Sequence, residues 1–176
     1  MGHSQAEKTR SHKRIVQLAA ERFREAGLDG ISVADLMKEA GLTHGGFYRH
    51  FPSRDDLVAE AVEEALVNGA QIADRVERLE PTTALSALIT GYLSVAHRDS
   101  KGRGCAVPAL ATDIARSNPR ARAAYTAQVG RYLDLLGRLN EDANEKAARK
   151  HAIMTLSALV GAVCLARAVD DDMLSL

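Results

Sequence analysis

A chain of 176 residues, 46% of them hydrophobic, is long enough for one large helical domain or for a small domain joined to a medium one. Its 23 basic and 23 acidic side chains cancel, which by itself argues against a nucleic-acid protein, and no uninterrupted apolar run reaches the ~18 residues of a membrane span. Two cysteines, Cys105 and Cys164, make no disulfide framework, so a cytoplasmic protein with free thiols is expected.

The distribution of charge says more than its total. Residues 1–54 hold nine Lys/Arg and six Asp/Glu, and the excess is concentrated in Lys8, Arg10, Lys13 and Arg14. A basic end on an otherwise neutral chain is a modest electrostatic footprint for phosphate. This end also lacks the apolar stretch of a secretory signal, and Met1–Ser4 carry no structural weight.

Ile15, Leu18, Ala19, Phe23 and Ala26 recur at three- and four-residue spacing and predict a helix over 7–26, stopped by Gly27. Ser32 with Asp35 caps a short second helix ended by Gly41, and Thr43 caps a third over about 44–50. Pro52 breaks the chain, and Ser53 with Asp56 starts a long helix over about 54–78. Further helices are expected over 83–98, 106–116, 119–140 and 143–169, with 100–104 as the most loop-like stretch. The last helix is apolar round most of its circumference, so a partner subunit is the expected cover. No strand is expected.

Residues 32–51 read SVADLMKEAGLTHGGFYRHF, a helix, a glycine turn and a second helix. Leu36, Met37, Ala40 and Leu42 can pack on Phe47 and Phe51, leaving His44, Gly45, Tyr48 and Arg49 on one exposed stripe. Hydrogen-bonding side chains beside glycines suit a DNA groove, where side chains reach base edges and the backbone comes close.

The stretches IVQLAAERFREAG (15–27), GISVADLMKEAGLT (30–43) and FYRHFPSRDDL (47–57) resemble the N-terminal signature of the tetracycline-repressor (TetR) family. The match is specific over about 45 residues, whereas the C-terminal ~120 match only in helical layout. The resemblance implies an all-α protein: a three-helix helix-turn-helix domain over 1–54 and a helical ligand-binding and dimerisation domain over 55–176. It implies a transcription regulator, in most cases a repressor, that binds palindromic operator DNA as a homodimer and is released by a small-molecule effector. Carried over by position, Ser32 would bind phosphate through its hydroxyl and helix N-terminus. Thr43, His44, Gly45 and Arg49 would face the major groove, while Tyr48, His50 and Arg54 would reach phosphates.

The effector pocket implied by the resemblance lies among the middle helices. Its candidate lining is Leu66, Ile72, Leu88, Ile89, Tyr92, Leu110 and Ile114, with His97 and Asp113 as polar anchors. All three Phe lie in the N-terminal part and Trp is absent, so a cage of stacked aromatics for flat cations is not expected, and a small or aliphatic ligand is. Tyr132, Leu136, Leu156, Val160, Gly161 and Val163 are the candidate dimer surface.

Other classes find less support. There is no Gly-rich phosphate loop, no CxxC and no HExxH, so no enzyme and no cofactor is expected. His97, Asp113 and His151 stand on separate helices without paired spacing, so no metal site is expected. A thiol-based redox sensor using Cys105 and a constitutive DNA-binding dimer without effector are the alternatives, and Cys164 is read as core.

Overall fold

Helix boundaries follow the capping chemistry of the sequence. In this computed structural model, which describes residues 5–139 and 144–175, the elements are α1 (Gln5–Ala26), α2 (Val33–Glu39), a 3-10 helix (His44–Arg49), α3 (Arg54–Val76), α4 (Pro81–Tyr92), α5 (Val95–Asp99), α6 (Ala106–Ile114), α7 (Pro119–Leu139) and α8 (Glu145–Ala168). No strand occurs among the described residues, and Met1–Ser4 lie outside them.

Ser32 and Ser53 act as the expected N-caps: each hydroxyl accepts the backbone N–H three residues on, at 3.1 Å from Asp35 and 3.2 Å from Asp56, and donates to the same aspartate's carboxylate. Gly27 and Gly41 hold positive φ angles of 81° and 70° where α1 and α2 end, a conformation that only glycine adopts without cost.

Two expectations are corrected. The third helix is a 3-10 turn, and Thr43 makes no side-chain cap bond to it; with two glycines in six residues it has little propensity for a full α-helix. The helix expected over 83–98 begins at Pro81 and breaks between Tyr92 and Val95. Ser94 causes the break: its hydroxyl donates to the Gly91 carbonyl at 2.8 Å and accepts the His97 N–H at 3.2 Å, so it ends one helix and caps the next.

One core runs through the molecule. It begins with Ile15, Phe23, Met37, Phe47 and Phe51 of the first three elements, passes Leu57 and Val62 of α3, and continues to Leu110 of α6 and Leu135 of α7. The boundary drawn at 54/55 therefore falls on the first turn of α3 rather than on a linker. α3 packs chiefly on α1 at one end and on α7, so it belongs to both parts.

α8 is long enough, and over an 18-residue window apolar enough, to cross a membrane, although no single run is uninterrupted, and only 22% of that window is buried within the subunit. Ile153, Met154 and Leu165 stand 48%, 59% and 68% exposed along it.

Candidate nucleic-acid interface and ligand cavity

The N-terminal three elements present a polar rim over a sealed core. Leu36, Met37, Ala40, Phe47 and Phe51 are buried together, with Phe47 and Phe51 stacked at 5.5 Å. That packing turns the 3-10 helix so that Thr43, His44, Gly45, Tyr48 and Arg49 face outward, with Tyr48 73% exposed. A Cβ at Gly45 would meet nothing within 4 Å, so this glycine leaves open room for another molecule's surface. Lys8, Arg10 and Lys13 of α1 are also exposed. Ser32 is exposed at the N-terminus of α2, its hydroxyl engaged in the cap.

Two of the expected phosphate contacts are placed otherwise. Arg54 Nη2 donates to the Leu28 carbonyl and pairs with Asp29 at 2.9 Å, which commits it to the turn after α1. His50 is half-buried beside His12 and Phe51, with ring centroids 6.1 Å and 6.3 Å away. Burial, with His12, Lys8 and Arg49 adding to it, holds its pKa below the usual histidine value, and its Nδ1 has no partner.

The C-terminal part encloses a cavity of about 480 Å³. α3 supplies Ile72, Ala73 and Val76 to its wall, α4 supplies Ala87 and Leu88, α7 supplies Leu135 and Leu136, and α8 supplies Leu156 and Leu159. Tyr92, His97, Cys105 and Tyr132 provide the polar part of the lining, and Arg75 and Leu79 stand exposed at the edge. Its size and largely aliphatic walls are those of a small-molecule site.

Four of the nine residues expected to line a pocket meet here: Ile72, Leu88, Tyr92 and His97. Leu66, Leu110 and Ile114 are buried elsewhere in the core, and Ile89 and Asp113 are half-buried outside the cavity. Asp113 Oδ2 accepts the Leu28 N–H at 3.1 Å, tying α6 to the end of α1. Tyr132 and Leu136, expected at a dimer surface, are buried and face the cavity, and Val163 is buried as well. Of that expected surface, Leu156, Val160 and Gly161 remain half-buried.

The polar groups are mutually arranged. His97 Nδ1 lies 2.6 Å from the Tyr92 carbonyl oxygen and so donates to it, which leaves Nε2 to accept the Cys105 N–H at 3.0 Å. Burial holds His97 below the usual histidine pKa, with Arg167 adding to that effect and the Tyr92 carbonyl opposing it. The Tyr132 hydroxyl lies 3.6 Å from the Cys105 sulfur. Burial, with the nearby Cys105, raises both the Tyr92 and the Tyr132 phenols, so both stay protonated. Cys105 is buried rather than exposed, whereas Cys164, expected in the core, is exposed and near the Pro108 carbonyl at 3.5 Å. No group of side chains suited to a metal ion occurs among the described residues.

The sequence reading places Cys105 as a redox thiol and Tyr132 on a dimer surface rather than in a cavity wall, because one follows a glycine-rich loop and the other sits on a regular apolar stripe. Only the packing of α7 against α3 turns Tyr132 inward.

Comparison with known proteins agrees with this architecture. Residues 15–61 match the family described as bacterial regulatory proteins, tetR family. The chain is similar to the HTH-type transcriptional regulator YvdT of Bacillus subtilis (35% identical over 92 residues, covering 50% of this chain and 47% of that protein). It is also similar to the HTH-type transcriptional repressor KstR2 of Mycolicibacterium smegmatis (36% over 52 residues, 30% of this chain and 25% of that protein). The matched stretches thus span about half of the first relative's length and a quarter of the second's. A solved TetR-family regulator of Agrobacterium tumefaciens has the same fold, with a TM-score of 0.80 at 22% identity over 96% of this chain and 93% of that one. Residues 15–61 thus match the tetR-family signature, and the chain has the fold of a solved TetR-family regulator over nearly its whole length.

Proposed function

We propose that the protein is a repressor that binds a palindromic operator as a homodimer and releases it when a small molecule fills the cavity. The observation that carries this reading is that one helix, α3, spans both sites: it starts beside the outward-facing 3-10 turn and ends as a wall of the cavity at Ile72, Ala73 and Val76. At ~1.5 Å per residue its 23 residues reach ~35 Å.

The exposed stripe of Thr43, His44, Gly45 and Arg49 would read the major groove, Tyr48 would hold phosphate, and Lys8, Arg10 and Lys13 would supply charge. Dimerisation rests on the uncovered apolar stripe of α8, and the naming of the mycobacterial relative as a repressor supports the direction of control. DNA fixes the spacing of the two half-site elements at about one helical turn, ~34–36 Å, so a tilt of α3 by a few ångströms would break simultaneous engagement. Only the difference in ligand affinity between the two states drives release; a ~100-fold difference supplies about 2.7 kcal/mol per site.

Selection of bound sequences from a random DNA pool tests the first half: an enriched two-fold symmetric site is expected, and its absence removes the operator reading. Titrating a cavity ligand with and without that operator tests the second. Reciprocal weakening is expected, and equal affinities would make the chain a constitutive DNA-binding dimer.

A further inference from the structure

We infer that the cavity takes an uncharged, mainly aliphatic molecule with one acceptor oxygen, such as a ketone or ester carbonyl, received by the Tyr92 hydroxyl. This inference rests on reading the cavity as the effector site and adds the chemical class of its ligand.

The walls decide the bulk of the molecule. α3, α4, α7 and α8 contribute Ile, Val, Leu and Ala side chains, and the rings present are Tyr92, Tyr132 and His97. Apolar surface buried against such walls drives binding whatever the detailed shape.

The charge balance decides its net charge. Among the described residues no Asp or Glu lines the cavity. A cation inside would lose its water and meet no carboxylate, a penalty that apolar walls do not offset. Arg75, the one charged residue of the lining, is exposed at the edge and turns its Nε to the Gln71 carbonyl at 3.3 Å. Arg167 lies behind His97 but spends its guanidinium on the His97 and Arg98 carbonyls, so an anion drawn deep would lose its water without a cation free to bond it.

Hydrogen-bond bookkeeping decides the polar group. His97 uses both ring nitrogens, on the Tyr92 carbonyl and the Cys105 N–H. Tyr132 and Cys105 face each other. The Tyr92 hydroxyl is buried among them beside the Cys105 thiol, with no nitrogen or oxygen partner. Burial keeps that phenol protonated, so Tyr92, a lining residue, retains an O–H that a small rotation of the side chain brings to a molecule in the cavity. A buried O–H donor without a nitrogen or oxygen acceptor is rare in folded proteins and is satisfied by an incoming acceptor. Tyr92 sits at the last turn of α4, and its ring lies 4.7 Å from that of His97.

The test uses 2-nonanone, nonylammonium and nonanoate as probes of matched chain length, with binding measured by calorimetry on the full-length protein. 2-Nonanone is expected to bind, and both charged probes to bind at least about tenfold more weakly. Tyr92→Phe is expected to weaken the ketone by about tenfold while leaving the melting temperature of the free protein unchanged or raised, since it removes a hydroxyl without a nitrogen or oxygen partner. Ala87→Trp, a change at an exposed position on the cavity edge, is expected to block every probe. Equal ketone affinity in Tyr92→Phe, or a charged probe binding as tightly as the ketone, overturns the ligand class while the cavity stands. Ketone binding that survives Ala87→Trp, or no binding by any probe, overturns the cavity as the site itself.

Discussion

The guanidinium of Arg24 in α1 donates through Nε to the Gly102 carbonyl oxygen at 2.6 Å. This bond joins the N-terminal helix-turn-helix part to the loop that carries Cys105 into the cavity wall three residues later. The helix that precedes this loop, α5, is held from the other side by Arg167 of α8, which donates to the carbonyls of His97 at 2.8 Å and Arg98 at 2.9 Å. The cavity wall thus includes both α3 and the end of a loop anchored to α1, two connections to the N-terminal part.

Arg24 is a buried cation whose Nη1 has no partner, and burial lowers its pKa. Arg24→Met keeps the apolar stem and removes a charge that is only partly compensated, so global stability is expected to change by less than about 1 kcal/mol. The loop loses its anchor, and the Arg103 and Gly104 amides, which donate to the Ser100 carbonyl, are expected to exchange faster. Hydrogen exchange resolved to residues 100–105 checks this. Unchanged protection there would mean that the loop is held by the anchored α5 and its own turns alone.

Gly69 lies mid-helix in α3, and a Cβ there would collide with the Tyr132 hydroxyl. Helix propensity alone would make Gly69→Ala stabilising by about 1 kcal/mol. Packing reverses the sign, because overpacking a filled site costs about 1–3 kcal/mol. A lower melting temperature is expected for Gly69→Ala. Tyr132→Phe, which removes the clashing oxygen, is expected to recover most of it in the double variant. A double-mutant cycle with no coupling would contradict the contact.

Arg54→Ala and Lys13→Ala separate protein stability from phosphate binding. Arg54 is bonded to the Leu28 carbonyl and Asp29, so its loss is expected to cost roughly 1 kcal/mol of fold stability. Lys13 is exposed on α1, and no ion pair involving it is found among the described residues. Its loss is expected to leave stability alone and to reduce the slope of log K against log salt by about 0.9. Thermal melts and DNA titrations at several salt concentrations distinguish the two. A melting temperature unaffected by Arg54→Ala would return that side chain to the set of phosphate contacts.

Much of this was legible in the sequence where chemistry is local. Capping serines, glycine stops and the core phenylalanines at 23, 47 and 51 act over four residues or fewer, and the structure places them as expected. What failed was non-local. Tyr132 reads as one member of an apolar stripe on α7, and nothing within its own helix says whether that stripe faces α3 or a second subunit. Arg54 reads as a helix-start cation suited to phosphate, and its diversion to Leu28 depends on where the turn after α1 comes to rest. The break at Ser94 was visible in principle, since a serine followed three residues on by a cappable N–H is a start signal, but the apolar spacing on either side continues through it.

His50 and His97 make stability depend on pH. Burial holds both below the ordinary histidine value of 6.5, so the unfolded chain takes up protons first as the solution is acidified. The stability contributed by the neutral rings is complete above about pH 6.5 and is lost as pH falls towards their folded-state values. His97→Asn keeps a donor for the Tyr92 carbonyl and removes the titration. Its melting temperature is expected to fall less steeply than that of the unaltered protein between about pH 6.5 and 5. Parallel curves would show that His97 is not held neutral in the fold.

Gly161 tests how the uncovered side of α8 is used. Met154, Ala158, Gly161, Ala162 and Leu165 recur at helical spacing, and all but the half-buried Gly161 are exposed. A Cβ at Gly161 would meet nothing within 4 Å, and the same holds for Gly130 and Gly137 of α7. Within the subunit, Gly161→Leu therefore has room, and helix propensity favours it by roughly 1 kcal/mol. In a four-helix interface built from α7 and α8 of two subunits, the same change would overpack the closest approach and cost about 1–3 kcal/mol. The two situations predict opposite signs. We expect sedimentation to show a dimer at micromolar concentration for the unaltered chain and a shift towards monomer for Gly161→Leu, with helical content preserved. Leu165→Glu, which places a charge in the centre of the same stripe, is expected to do so more completely. A Gly161→Leu protein that remains dimeric and melts higher than the original would show that α8 does not face a second subunit at this point.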